Sequence, residues 1–309
     1  MAEPLLAPAG GVPELISTPE QLAEMIAELK SGTGPIAIDA ERASGYKYSA
    51  RAYLIQIKRN GGGLHLIDPI AVGESKYWGE LSETFKAEEW IIHASTQDLA
   101  CLREVGIDPQ IIFDTELAGR IAGCERVGLG PLTEQLLDVA LAKEHSAVDW
   151  SIRPLRPEWL NYAALDVELL IELRNEIEKM LIENGKLEWA KEDFAAILRA
   201  PASQPRKDPW RRASGIHKVR DLNALAIIRA LWFARNEFAK EIDLAPGRVF
   251  NDETLLLIAT KPPKGFGDFK KALKELVKQV MDEISATPGV GATAVPNWVS
   301  KNAKGRPDV

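Results

Sequence analysis

Cysteine is nearly absent: the chain of 309 residues holds two, Cys101 and Cys124. They form no C-x-x-C pair, so neither a zinc site nor a disulfide framework is expected. Two isolated thiols suit a reducing compartment, and a cytoplasmic location is the expectation. Long apolar runs are missing as well. No stretch approaches the ~18 consecutive apolar residues of a membrane-spanning helix. Residues 1–10 lack a basic segment leading into an apolar one, so no signal peptide is read there, and no membrane partner is expected. No internal repeat is visible.

Positive charge is short overall, with a net of −7, which argues at first against a nucleic-acid partner. Its distribution reverses that impression. Residues 199–309 carry 20 Lys and Arg against 12 Asp and Glu, a net of +8, which leaves −15 on residues 1–198. An acidic half beside a basic half suits either a metal-using enzyme joined to a polyanion-binding module or two ordinary domains with different surfaces. At this length two domains are the natural division.

The acidic half begins with a helix over 17–30, where Thr18 caps, Pro19 suits the first turn and Gln21 completes a capping box. A short apolar strand, Ile36-Ala37-Ile38, then runs into Asp39. A second strand covers Tyr53–Ile57, the turn Asn60-Gly61-Gly62-Gly63 follows, and Leu64–Ile67 returns, which makes an antiparallel meander. Beyond it, strands alternate with helices: strand Trp90–His93, helix Thr96–Val105, strand Ile111–Phe113, and helices from Asp114 to Ala122, over 130–141 and over 157–182. Meander first and strand–helix units second imply an α/β fold, a mixed sheet flanked by helices.

Residues 199–211 open a basic, proline-broken linker in which Arg199, Arg206, Lys207 and Arg211 face one acid, Asp208; the same character continues to Arg220. Helical periodicity resumes over 221–241, 252–259 and 267–286. The domains read as 1–198, a linker 199–211, a small all-α domain 212–290 and a flexible tail 291–309.

Asp39 and Glu41 end a strand two residues apart, so their side chains share a face. Like charges held side by side repel unless a cation lies between them. Asp98 falls in the first turn of the helix after strand Trp90–His93, and Tyr162 and Asp166 stand one turn apart on a helix. Each alone has an ordinary reading: a solvated acidic pair, a helix-start acid, a surface pair. Together, the four carboxylates offer the oxygen ligands that Mg²⁺ and Mn²⁺ prefer. Two such ions about 3.5–4 Å apart can stabilise both the attacking and the leaving oxygen of phosphodiester cleavage.

Three stretches carry a family resemblance. The first is Ile36–Glu41 with Tyr53–Ile57 and Leu66–Pro69. The second is His93–Leu99 with Phe113-Asp114-Thr115, and the third is Asp149–Leu155 leading into Tyr162–Val167. In order and spacing they resemble the exonuclease motifs of ribonuclease D, over about 15–190. The resemblance implies a ribonuclease-H-like fold in the tyrosine-bearing branch of the DEDD exonucleases. It implies that Asp39, Glu41, Asp98 and Asp166 hold two divalent ions, Mg²⁺ or Mn²⁺, with Asp39 as the bridge. Tyr162 would orient the attacking water. Because a free tyrosine has a pKa near ~10, its role is to position rather than to act as a strong base. Ala40 stands where family members often carry Thr or Cys, and strand geometry turns it away from the metals.

Gln56 is either a contact to the substrate's terminal nucleotide or a strand-face amide satisfied internally. His93 has the same two readings. Asp114 and Asp149 are read as capping or supporting acids, and Arg153 as a phosphate contact or a neighbour's ion-pair partner. Tyr46 and Tyr48 are RNA contacts or ordinary loop residues. Residues 212–286, through Ala230–Glu237, Ala245–Asp252 and Lys261-Pro262-Pro263, resemble the helical HRDC domain shared by RecQ helicases and ribonuclease D. Leu231, Trp232 and Phe238 read as its core. The implied activity is 3′→5′ removal of nucleoside 5′-monophosphates from RNA 3′ ends, with transfer RNA precursors the implied partners. A DNA exonuclease of the same superfamily and an inactive RNA-binding module are the alternatives; retention of all four acids and Tyr162 argues against the second.

Overall fold

The computed structural model describes residues 2–141, 148–201 and 206–261. The chain divides into two units. One comprises Met1–Ala43, Arg51–Trp150 and Pro154–Ala202; the other comprises Ser44–Ala50, Ser151–Arg153 and Ser203–Val309.

The first unit is an α/β domain. Its strands are β1 (Glu3–Leu5), β2 (Leu15–Ile16), β3 (Thr33–Arg42), β4 (Ala52–Asn60), β5 (Gly63–Ile67), β6 (Glu89–Ile92), β7 (Ile111–Asp114) and β8 (Val139–Leu141). Six of them form a mixed sheet in the order β2-β5-β4-β3-β6-β7. The β3-β4-β5 meander is antiparallel, whereas β6 and β7 extend it parallel to β3. β1 and β8 pair separately in parallel.

The helices are α1 (Pro19–Ser31), α2 (Pro69–Val72), α3 (Lys76–Thr84), α4 (Leu99–Val105), α5 (Thr115–Ala122), α6 (Leu129–Leu137), α7 (Pro157–Glu168), α8 (Leu170–Glu183) and α9 (Leu187–Arg199). α1 carries the expected capping box, with Thr18 and Gln21 bonding reciprocally. Its Leu22, Met25, Ile26 and Leu29 are buried in one core with Ile36, Ile38, Ile55, Ile57 and Trp90.

Several boundaries depart from the sequence periodicity. The helix expected over 130–141 stops at Leu137; Asp138 turns left-handed (φ 55°) and the chain becomes strand β8. The helix expected over 157–182 is two, broken at Leu169 (φ −110°, ψ 6°). α9 is an additional helix that the periodicity does not announce, and it has no side-chain cap to mark its start. The helix expected from Thr96 is a 3₁₀ turn at Ser95–Gln97 followed by α4, because Ala94 is left-handed (φ 58°).

The second unit is helical. α10 (Leu222–Glu241) is capped by Asp221, α11 (Pro246–Val249) is one turn, and α12 (Asp252–Thr260) is capped by Asn251. Trp210, Ile228, Leu244, Phe250 and Leu255 form its core, against which Leu231, Trp232 and Phe238 pack partly buried, as expected. Arg235, almost wholly buried, donates to the Phe250 carbonyl at 2.9 Å and to Asp252 at 2.8 Å. The helix expected over 267–286 and the tail lie outside the described residues. Among the described residues, no helix is long and apolar enough to cross a membrane.

Candidate active site

The site is assembled on the middle of the sheet. Ile36, Ala37 and Ile38 are fully buried and fix β3; alternation then sets Asp39 and Glu41 on one face. In the antiparallel pair Asp39 lies opposite Gln56 and Glu41 opposite Leu54, and the register slips between Glu41 and Arg42. α7 packs across β3, β4 and β5. Its buried Ala163, Ala164 and Val167 are small enough to let the helix sit close. Tyr162 and Asp166, one turn apart, join the two strand acids. Carboxylate oxygens of Asp39, Glu41 and Asp166 lie within 4.8 Å of one another, and the Tyr162 hydroxyl donates to Asp166.

Asp98 comes from the other side of β3. It stands at the junction between the 3₁₀ turn and α4, buried, and near enough to Asp39 to feel its charge. It is not part of the tight three-acid cluster. Asp39 and Glu41 are therefore shared neighbours of Asp98 on one side and of Asp166 on the other.

Burial is the largest force on all four acids, and it pushes each above the usual carboxylate range. Glu41 rises to about 10, with Asp39, Asp166 and Asp98 adding repulsion. Asp98 rises to about 8 through burial and then Asp39, with the Arg42 guanidinium pulling the other way. Asp39 is raised by burial against a backbone hydrogen bond and Arg42. Asp166 is raised well above its ordinary value by burial and Asp39. Such a cluster is unfavourable when ionised alone and favourable around a small cation of high charge. An all-oxygen donor set fits hard divalent ions.

Two supporting features escape sequence reasoning, and a third is read from it. Arg42 places Nε 3.4 Å from Asp98 Oδ1 and bonds Gln97 at 3.3 Å, supplying one positive charge beside the acids. Its only sequence signal is that it follows Glu41 directly. Lys58, two residues beyond Gln56 on β4, pairs with Glu168 at 3.0 Å and also bonds the Glu168 carbonyl, pinning the end of α7. Pairing across 110 residues leaves no local pattern. Asp114, read as a capping or supporting acid, is both. It caps α5 through the Glu116 and Leu117 amides and accepts from the amides of Ala94 and Ser95 and the Ser95 hydroxyl.

His93 bonds Thr115 through Nδ1 at 2.9 Å, and burial lowers its pKa, so it is placed as a half-buried neutral ring. Gln56 is wholly buried (0 % exposed), and neither polar atom of its amide has a hydrogen-bond partner. In the second unit, Arg248 stacks over the Tyr46 ring at 4.2 Å and Asn236 donates to the Tyr48 hydroxyl at 3.0 Å. Those tyrosines are therefore engaged within that unit.

A crowded quartet of acids, Asp98 buried and the other three half-buried, with a tyrosine one turn from the last on a mixed sheet, belongs to a class. Residues 13–182 match the 3′-5′ exonuclease family, and residues 224–286 match the HRDC domain. Ribonuclease D of Psychromonas ingrahamii is 30% identical over 264 residues, covering 84% of this chain and 69% of that protein. A solved protein from Bifidobacterium adolescentis superposes with a TM-score of 0.83 at 37% identity, over 96% of this chain and 80% of the other. Escherichia coli RNase D superposes with a TM-score of 0.65 at 25% identity, over 92% of this chain and 77% of that one. The chain belongs to the ribonuclease D family and is a 3′-5′ exoribonuclease.

Proposed function

We propose that Asp39, Glu41, Asp98 and Asp166 hold two divalent ions, Mg²⁺ or Mn²⁺, and that the chain removes 3′-terminal nucleotides as 5′-monophosphates. The observation carrying this reading is the three-acid cluster within 4.8 Å, with Tyr162 hydrogen-bonded to one of its members, Asp166. Bound there, the ions would supply Lewis acidity to the attacking and leaving oxygens. Asp39, whose charge bears on Glu41, Asp98 and Asp166 alike, would help to hold both ions. Tyr162 does not act as a strong base. Burial first, and then Asp166, Glu41 and Asp39, push its hydroxyl far above the ordinary tyrosine range, so it stays protonated. Its part is to hold the attacking water in line. Water oxygen bonds to phosphorus, the P–O3′ bond of the penultimate nucleotide breaks, and the shortened chain keeps a 3′-hydroxyl.

The proposed substrates are 3′ ends of structured RNA, transfer RNA precursors among them. E. coli RNase D, described as an exoribonuclease involved in structured RNA processing, supports this, as does the +8 net charge of residues 199–309. The helical domain over 212–290 is proposed as the auxiliary RNA-binding module, and the cytoplasm as the location.

The test is a 3′-extended RNA labelled at its 5′ end, incubated with Mg²⁺, Mn²⁺ or EDTA beside an Asp39→Ala variant and a matched DNA. A ladder shortening from the 3′ end, abolished by EDTA and by the variant, supports the assigned site. Equal rates on DNA would move the substrate assignment, and binding without shortening would leave an RNA-binding module.

A further inference from the structure

Gln56 is a polar side chain in a place that favours an apolar one. It is fully buried, and both its amide nitrogen and its amide oxygen lack a hydrogen-bond partner. Buried amides left unpaired destabilise a fold, and an apolar side chain of the same shape would be better tolerated. Its neighbours follow from the register. Along β4, Leu54 and Lys58 share its face; across the sheet it stands between Asp39 on β3 and Leu66 on β5. Lys58 is already engaged by Glu168. Leu54 and Leu66 offer no polar atom. The cross-strand partner with acceptor capacity is Asp39, and directly opposed side chains on one face are close neighbours.

We propose that Gln56 is a positioning residue for Asp39: its amide N–H donates to the Asp39 carboxylate, directly or through one enclosed water, when that carboxylate is ionised and ligating. The amide, set beside the carboxylate on the neighbouring strand, restricts its rotation so that its remaining lone pairs face the other acids. Groups behind metal ligands commonly do this, and their loss costs about 10–100-fold in metal affinity. The role needs no contact with RNA, so it is distinct from a nucleotide contact. The inference rests on the metal-site reading above.

Two apolar variants, Gln56→Leu and Gln56→Met, test it. For the metal-free protein, thermal unfolding should give a Tm equal to or above that of the parent, because an unpaired amide has gone. Calorimetric titration with Mn²⁺ should give an affinity weakened about 10–100-fold. On RNA, kcat should fall at subsaturating metal while KM for RNA holds. Unchanged metal affinity in both variants would overturn the proposal, as would a raised KM with metal binding intact. The parent and Asp39→Ala are titrated in parallel. If the parent itself takes up no Mn²⁺, the metal-site reading fails and this inference with it. If the parent binds and the Gln56 variants match it, only the Gln56 assignment fails.

Discussion

Lys58 on β4 reaches the far end of α7, where its ammonium lies 3.0 Å from the Glu168 carboxylate and bonds the Glu168 carbonyl as well. One cation thus meets both a partner charge and the negative end of a helix. The same helix carries Tyr162 and Asp166, so the pair sets how α7 lies over Asp39. The side chains are 18% and 9% exposed, close to the regime where removing one partner costs about 3–5 kcal/mol. Lys58→Met should destabilise the protein by about 2–4 kcal/mol in urea unfolding and lower kcat. The Lys58→Met, Glu168→Gln double variant should recover part of the loss. Additive losses would mean that the two residues are not coupled.

The pH dependence of the metal-free protein should run against that of an ordinary acidic protein. Burial first, and then neighbouring acids, lift Glu41 from 4.5 to about 10 and Asp98 from 3.8 to about 8. A group whose folded value exceeds its unfolded one contributes stability that is complete below the unfolded value and is lost as pH rises through the folded one. With EDTA present, Tm should therefore fall progressively from about pH 4 to about pH 10, and Glu41→Gln should flatten the slope. Divalent ions bind the ionised carboxylates, so the rise in Tm on adding Mn²⁺ should grow across the same interval. A Tm rising with pH in EDTA would contradict the crowding of these acids.

Asp114 shows how a residue outside the acid cluster can hold the turn that presents one of the acids. Its two oxygens accept five hydrogen bonds, from Ala94, Ser95 twice, Glu116 and Leu117. Those bonds hold the left-handed Ala94 and the 3₁₀ turn from which Asp98 emerges. Asp114→Ala should cost about 2–4 kcal/mol, since buried amides lose their acceptor together with a helix cap. At temperatures where the variant stays folded, its metal affinity should fall, measured by titration with Mn²⁺. Intact metal affinity would show that the turn keeps its shape without the carboxylate.

β3, which carries Asp39 and Glu41, was legible because three apolar residues ending in two spaced acids is a pattern contained in six letters. α1 was legible through its cap, and the acid–tyrosine pair on α7 through helical spacing. Non-local pairing was not. β8 follows α6 across a single residue, Asp138, and what makes it a strand is Glu3–Leu5, far away in sequence. The break at Leu169 lies inside a continuous apolar periodicity, just past Glu168, the residue that Lys58 holds. Gln56 illustrates the same limit at the site. Its polarity within an apolar strand flagged it, but only the register opposite Asp39 and its burial say which way it faces.

Tyr162→Phe should separate positioning from metal binding. Deleting the hydroxyl removes a hydrogen bond to Asp166 and leaves the ring packed, so stability should change by less than ~1.5 kcal/mol. The fall in kcat should be about 10²-fold or more, in the range of a lost proton-handling or water-orienting group. Stabilisation by Mn²⁺ should persist. A variant with full activity would remove Tyr162 from the reaction.

RNA binding should weaken steeply with salt, because Lys and Arg side chains that neutralise phosphates release counterions. The run containing Arg206, Lys207, Arg212, Lys218 and Arg220 offers several such cations; Arg211 is instead paired with Asp208 and stacked on Trp210. Replacing Arg206, Lys207, Arg212 and Lys218 by Ala should reduce the slope of log K against log salt by up to ~3 on single-stranded RNA, at about 0.7 for each phosphate no longer neutralised. Hydrolysis of a dinucleotide, too short to span that run, should be unaffected. An unchanged slope would place the phosphate-binding cations elsewhere on the chain, and a loss of dinucleotide hydrolysis would mean that these side chains support the fold of the active site rather than the grip on RNA.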